Sequence, residues 1–309
     1  MAQISESDIG KRVTIRLHDY PGYRDIVGHL ISPSSLKNRH GEIVEFDPSQ
    51  IFIWREIKDV ARTATSGAPF SIRVNELERI ANETWLAKEQ EQIGNWLFRA
   101  DVGITRRANS ALVLGTGDQI EQMATQMISW YQHRQLIPTV SLVPELHREL
   151  DLELEQRGFE KLLDLDVMVK EHEKLDVDFD YLVDNKPDQI WMAVHGDQPI
   201  EALLKRSESK YLKIFDSGKL AAIGRTSFAK DWAVLSRIWV DENFRGKGYG
   251  RKILQALEAE SDGRKLALQV STTNINAISL YKSAGYLLHH TGRFRALPQQ
   301  IDPALDSLR

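Results

Sequence analysis

Two stretches of this chain, residues 78–172 and 188–309, carry the same order of secondary-structure signals, and that repetition restricts the fold more than any single motif. The first opens on a helical pattern over 78–90, after which NWLFRADVG and NSALVLG read as strands. Ile120, Met123, Met127 and Trp130 recur at helical spacing over 118–133. A strand at PTVSLV, a helix over 145–157 stopped by Gly158, and the alternating KLLDLDVMV complete it. The second stretch begins with helix-like PDQIWMAVHG and PIEALLKRS. Strands follow at YLKIFDSG, KLAAIGRTSFA and AVLSRIWV, with Asp216-Ser217-Gly218 as a hairpin turn. A helix over 249–260, a strand KLALQVS, a short helix over 277–283 closed by Gly285 and a last strand near RFRAL finish the chain. Gly158-Phe159 and Gly285-Tyr286 hold equivalent places. Such self-similarity predicts a diverged internal duplication of one mixed α/β unit.

Residues 8–57 are built differently. Val13, Ile15 and Leu17 alternate with polar residues, as in a half-buried strand. A Pro21-Gly22 turn, the strand-like EIVEF, an Asp47-Pro48-Ser49 turn and IFIWREI follow. Short strands broken by turns at this density predict a small closed barrel over 1–60, similar to an SH3-like barrel. The small, polar run DVARTATSGAPFSIRV, with its Gly-Ala-Pro break, predicts a linker over 61–77.

Composition removes several chemistries. With no cysteine, disulfides, thiolate metal sites and cysteine nucleophiles are excluded. The N-terminus lacks an apolar signal core, and no run approaches the ~20 apolar residues of a membrane span, so the expected setting is cytoplasmic, with no membrane partner. Forty Lys+Arg against 44 Asp+Glu give a net charge of −4, and residues 1–60 form no obvious basic patch, so nucleic acid is not an expected partner. The charge is segregated, however. Residues 149–184 hold 13 acidic and 4 basic residues, and 243–309 hold 10 basic and 5 acidic. The acidic run reads as a solvated surface that could also attract a cationic ligand.

The segment IWVDENFRGKGYGR, residues 238–251, concentrates the chemistry. A strand ends near Val240, and glycines 246, 248 and 250 open a helix whose Tyr249, Ile253 and Leu257 share one face. Glycines let a ligand approach the backbone, and the free N–H groups of a helix start attract an anion. Arg245, Lys247, Arg251 and Lys252 add positive charge, an arrangement suited to a pyrophosphate. The turn lacks the Gly-Lys-Ser/Thr ending of a P-loop and the Gly-x-Gly-x-x-Gly spacing of a dinucleotide fingerprint.

Arg245, Gly248 and Gly250 match Arg/Gln-x-x-Gly-x-Gly/Ala, and Asn274, Ala277, Leu280, Tyr281, Gly285 and Tyr286 match Asn-x-x-Ala-x-x-Leu-Tyr-x-x-x-Gly-Phe/Tyr. In this order, with one helix and one strand between them, these motifs resemble those of the GNAT superfamily of acetyl-CoA-dependent N-acyltransferases. The resemblance is clear over 188–309. The earlier half is similar to a degenerate copy, with LVLGTGDQIEQ in place of the phosphate turn and no basic cluster. It implies tandem GNAT-like halves with mixed central sheets behind the small barrel, a degenerate half over 78–175 and an acetyl-CoA-binding catalytic domain over 176–309.

The resemblance also implies roles. The backbone of Ile238, Trp239 and Val240 would bond the pantetheine, and an amide there would polarise the thioester carbonyl. The amides and charges of Arg245, Gly246, Lys247, Gly248, Tyr249, Gly250 and Arg251 would hold the pyrophosphate, with Asn274 and Ala277 near the pantetheine. Tyr281 would protonate the leaving thiolate. A packed aromatic and a helix N-cap are the plain structural alternatives for Tyr281 and Asn274. No carboxylate precedes the turn, so the general base stays open among Ser236, a water chain, and His289 or His290. Adjacent strand histidines face opposite sides, so at most one of these two could face a cleft. The expected activity is acetyl transfer to a primary amine on a small molecule or a protein. The alternative is a non-catalytic acetyl-CoA-binding or interaction module.

Overall fold

The computed structural model describes residues 4–19, 22–38, 41–57, 68–115, 119–171, 175–196 and 200–298. Its chain divides into two compact units, residues 1–60 and 61–309. Pro21 and Asp118 lie outside the described residues.

The first unit is an antiparallel sheet of β1 (Arg12–Asp19), β2 (Gly22–Ser32), β3 (Ser35–Lys37), β4 (Ile43–Glu45) and β5 (Ile51–Glu56), in the order β4-β3-β2-β1-β5. Val13, Ile15 and Leu17 face inward against Ile26, Leu30, Leu36 and Phe46, so the alternation in β1 reports its buried face. Gly28 is required by close approach, because a Cβ there would lie 2.3 Å from the Lys37 carbonyl oxygen. Among the described residues the edge strands β4 and β5 form no ladder with each other. The five-stranded antiparallel sheet stands where the small SH3-like barrel was expected.

The second unit begins earlier than the sequence pattern suggests. Helix α1 (Phe70–Glu83) starts at Pro69, inside the stretch read as a linker, and buries Val74, Leu77, Ile80 and Ala81. The helical pattern over 78–90 breaks at Thr84, and the polar residues that follow form the edge strand β6 (Glu89–Ile93). Then come β7 (Trp96–Ala100), β8 (Ala111–Val113), α2 (Ile120–Gln132), β9 (Thr139–Leu142), α3 (Arg148–Gln156) and β10 (Glu160–Lys170). The second copy runs β11 (Leu182–Asp184), α4 (Gln189–Ala193), α5 (Glu201–Leu204), β12 (Ser209–Asp216), β13 (Lys219–Ala229) and β14 (Trp232–Val240). It closes with α6 (Tyr249–Ala259), β15 (Lys265–Ser271), α7 (Ile275–Ser283) and β16 (Leu287–Ala296).

These strands form one sheet in the order β11-β12-β13-β14-β15-β10-β16-β9-β8-β7-β6. Read from its two ends, leaving out β11, the sheet shows the duplication. Each half has three antiparallel strands and then a parallel pair, β8 with β9 and β14 with β15. Both short helices end alike. The N–H of Phe159 bonds the carbonyl of Leu154, and that of Tyr286 bonds Tyr281, with Gly158 and Gly285 at positive φ. The last strand of each half crosses to the other: β10 pairs with β15, and β16 pairs with β9. Exchange of β10 and β16 makes the two halves one folding body.

It also resolves the segregated charge. Arg293 and Arg295 on β16 pair with Asp151 on α3 at 2.7 and 2.6 Å, and Arg293 reaches Asp164 on β10 at 2.8 Å. Asp151, Glu155 and Asp164 of the acidic run thus neutralise the basic last strand. No helix among the described residues is long and apolar enough to cross a membrane.

Candidate active site

The site begins where β14 leaves β15. Their ladder runs only from Trp232–Leu235 against Lys265–Leu268. Beyond it β14 pairs on one side alone, with β13, so one backbone edge of 236–240 faces the gap. The cause is a bulge: Arg225 pairs with Ser236 and Ile223 with Trp239, leaving one extra residue on β14 opposite Gly224. Arg237 takes the left-handed conformation there, φ +54°, which costs a non-glycine residue on the order of 1–3 kcal/mol. Gly224 sits where α6 presses on β13; a Cβ would lie 2.7 Å from Leu257 Cδ1.

The gap is a cavity of about 390 Å³. Ile238 and Trp239 line it from β14, and Asn274 and Tyr281 from α7, so these expected site residues meet there. Ile238 and Val240 also pack against the apolar cluster under α6, as does Ala277, whose N–H caps onto Asn274 Oδ1 at 3.1 Å. Asn274 is an N-cap and a cleft residue at once.

The glycine turn follows β14 directly. Gly246 and Gly248 have φ of +73° and +87°, and a Cβ on either would meet nothing within 4 Å, so open space lies over the backbone. Gly248 caps α6. The N–H groups of Gly246, Gly248, Tyr249 and Gly250 have no backbone acceptor among the described residues, as expected of a helix start. Gly250 is a packing glycine, its Cβ position 3.3 Å from Leu280. Arg245 braces the loop through a 3.2 Å bond from Nε to the Val240 carbonyl, and Arg251 donates to Ser283 Oγ at 2.5 Å. The Tyr249 hydroxyl is committed to Asp216 at 2.7 Å, and the Lys247 ammonium lies 5.7 Å from the Phe244 ring. Free amides, uncovered space and a rim of cations fit a pyrophosphate; the free edge of β14 fits the amides of a pantetheine arm.

Tyr281 is buried, packs 6.0 Å from Tyr286, and its hydroxyl makes no hydrogen bond among the described residues. Burial pushes its pKa up to about 12, so it keeps its proton at neutral pH. Ser236 lines the cavity with a buried Oγ that has no hydrogen-bond partner among the described residues. Neither His289 nor His290 does. A bulge opposite Val167 and Met168 breaks the alternation expected of β16, and the two rings meet through their Nδ1 atoms at 2.8 Å. His290 continues to Glu78 on α1 at 3.0 Å. This buried chain belongs to the packing of α1 rather than to the cleft.

Sequence reasoning missed three cleft residues. His195 follows α4, lines the cavity, and has a buried Nε2 with no hydrogen bond among the described residues. Burial, reinforced by the charge of Arg237, pushes it down to about 4, so it is neutral at pH 7. Arg237 and Gln269 line the same wall. Nothing local marks them: His195 follows α4, Arg237 sits at the bulge of β14, and Gln269 lies just past the point where β15 leaves β14.

In the first half the corresponding gap is plugged. His147 accepts from the Val143 N–H at 3.0 Å and bonds the Gly115 carbonyl at 2.7 Å, tying the end of β8 to the end of β9. A side chain stands where the second half has a cavity.

A splayed parallel pair beside a left-handed glycine turn, on a mixed sheet with α6 beneath, is the arrangement of the GNAT superfamily, and the protein is an N-acetyltransferase of that class. The family model described as "Probable histone acetyltransferase Rv0428c C-terminal" matches residues 71–295, and the chain belongs to that family. It is 27% identical to the probable histone acetyltransferase Rv0428c of Mycobacterium tuberculosis over 311 positions, covering 96% of this chain and 97% of the relative. It is 28% identical to the uncharacterized N-acetyltransferase YobR of Bacillus subtilis over 238 positions, covering 69% and 94%. A GCN5-related N-acetyltransferase from Kribbella flavida shares the fold with a TM-score of 0.59 at 11% identity, covering 74% of this chain and 97% of that one.

Proposed function

We propose that the second half binds acetyl-CoA in the β14/β15 gap and transfers its acetyl group directly to a primary amine, on a small molecule or a protein. The observation that carries this reading is the continuity of two features. A one-sided strand edge at 236–240 runs straight into a turn whose free N–H groups open α6.

Acetyl-CoA supplies the thioester carbon, to which the amine nitrogen bonds as the carbon–sulfur bond breaks. The free amides of Gly246, Gly248, Tyr249 and Gly250 hold the pyrophosphate, with Arg245, Lys247 and Arg251 nearby to screen its charge. The backbone of Ile238, Trp239 and Val240 aligns the pantetheine, and an N–H of this edge draws charge onto the carbonyl oxygen. Asn274 and Ala277 border the same arm. Tyr281 gives its proton to the departing sulfur. His195 stays neutral and offers a lone pair for the proton that the amine loses, with Ser236 beside it as a relay.

The test is a panel of primary amines incubated with acetyl-CoA, scored by thiol release and by mass gain of 42 Da on the amine, the mass of an acetyl group replacing hydrogen. Stoichiometric appearance of both supports the reading. Tight acetyl-CoA binding with no turnover on any amine, peptide or protein would favour a non-catalytic acetyl-CoA-binding module instead.

A further inference from the structure

One indole gathers three guanidinium groups. The Cζ atoms of Arg237, Arg225 and Arg107 lie 5.1, 5.2 and 5.6 Å from the ring of Trp85, itself buried. Arg225 is satisfied by the carbonyls of Thr84 and Leu204 and by Ser207, except at its buried Nε. Arg107 donates to Gln269, which lines the cavity. Arg237 also lines the cavity and donates no hydrogen bond among the described residues.

The counter-charge is missing. No carboxylate among the described residues forms an ion pair with Arg107, Arg225 or Arg237. Glu78 is the one carboxylate whose field reaches Arg107, and it is engaged with His290. Among the described residues no acidic group offsets Arg237; burial and the charges of Arg107 and Arg225 pull its pKa down to about 10. Arg237 is half-buried; a cation partly withdrawn from water with no anion beside it among the described residues is poorly compensated, and its place in a cavity wall suits an anion from outside. The turn at Gly246–Gly250 has its own cations and amides for phosphate. Arg237 sits at the other end of the one-sided edge, at the bulge where β14 and β15 part.

We propose that this corner is the acceptor subsite and that the acceptor is an amine carrying a carboxylate, of the free amino acid type, its carboxylate held by Arg237 with Gln269 and Arg107 behind it. The assignment rests on the acetyl-transfer reading. Trp85 and its stacked guanidiniums give the subsite a rigid floor. The same positive field favours the uncharged form of the amine, which is the form that attacks, so a strong base is less needed. A basic peptide would meet like charge here.

The experiment compares each of a set of L-amino acids with its carboxamide and its decarboxylated amine. Two readouts are used: kcat/KM for acetyl transfer, and the thermal shift of the protein without acetyl-CoA. Carboxylates should be preferred by at least about 30-fold, mostly in KM, and should alone stabilise the protein. Arg237→Gln should abolish both preferences and Arg237→Lys should restore part of them, with acetyl-CoA affinity unchanged. Equal use of carboxylate and amide by the wild type overturns the proposal without any variant. Loss of acetyl-CoA affinity in Arg237→Gln, with the carboxylate preference kept, also overturns it by assigning the arginine to the co-substrate. A carboxylate-specific thermal shift lost in Arg237→Gln, without turnover on any amine, would keep the subsite and overturn the acetyl-transfer reading instead.

Discussion

Tyr281→Phe removes one oxygen from the cleft and little else. The ring packs in the apolar cluster with Tyr286, and the hydroxyl has no hydrogen bond among the described residues to lose, so stability should change by no more than about 0.5 kcal/mol. The effect on the rate follows from the proton. With its pKa pushed up to about 12 by burial, the phenol is a weaker acid than an ordinary thiol at about 8.5. Transfer to a fully hydrated thiolate would run uphill. The same burial raises the thiolate, however, and narrows the mismatch. The expected loss therefore lies at the low end for general acid catalysis, about 100-fold in kcat or near 2.7 kcal/mol in the barrier. Thiol release with the best amine measures kcat, and calorimetry should show acetyl-CoA affinity unchanged within about twofold. The wild-type rate should also show no loss of this acid at pH 10, where an exposed tyrosine would be about half ionised. A variant that keeps more than a third of the wild-type kcat would refute the role of Tyr281, as would a loss matched by weaker acetyl-CoA binding.

Three further outcomes follow from the same packing. His147→Leu strands the half-buried Gly115 carbonyl and the buried Val143 N–H and should cost about 2–4 kcal/mol in urea unfolding; a loss under 0.5 kcal/mol would mean His147 is not the bridge between β8 and β9. His147, His195 and His289 all have pKa values lowered by burial, the last two to about 4 and 3. The unfolded chain then binds more protons, so stability is full above pH 6.5 and should fall from pH 7 to 5, by up to about 1.4 kcal/mol per pH unit per histidine, whereas a flat profile contradicts their burial. Gly224→Ala crowds a movable Leu257 methyl and should cost about 1 kcal/mol, with α6 and acetyl-CoA affinity little changed; an affinity loss above tenfold would show that α6 cannot yield.

The sequence made the local parts of this fold legible. Tyr249, Ile253 and Leu257 share a helix face, and Val13, Ile15 and Leu17 share a strand face, because burial imposes a period that the residues display. The glycine turn and the Asn274–Tyr286 motif were legible because backbone conformation there selects residue types, as at Gly248 and Gly285. What the sequence hid was long-range. Exchange of β10 and β16 leaves no local trace, since either strand would look the same paired within its own half. Edge strand β6 is polar because most of its residues face solvent, and it reads as the tail of α1. The bulge at Arg237 turns a residue of an ordinary strand into the wall of a cleft, and a second bulge puts His289 and His290 in contact. The functional corner is thus made by residues 107, 237 and 269, which come from a turn before β8, a bulge of β14 and the end of the β15 ladder.

Every role assigned above depends on acetyl-CoA binding by the β14/β15 gap together with the Gly246–Gly250 turn. The decisive experiment is calorimetric titration of acetyl-CoA into the wild-type protein and into an Arg245→Ala/Gly248→Trp double variant. The wild type should bind saturably, one to one. The variant should show no measurable binding, because an indole would fill the open space over a backbone at φ +87°. Absence of binding by the wild type, or equal binding by the variant, would contradict that assignment and reduce the glycine turn to a structural feature.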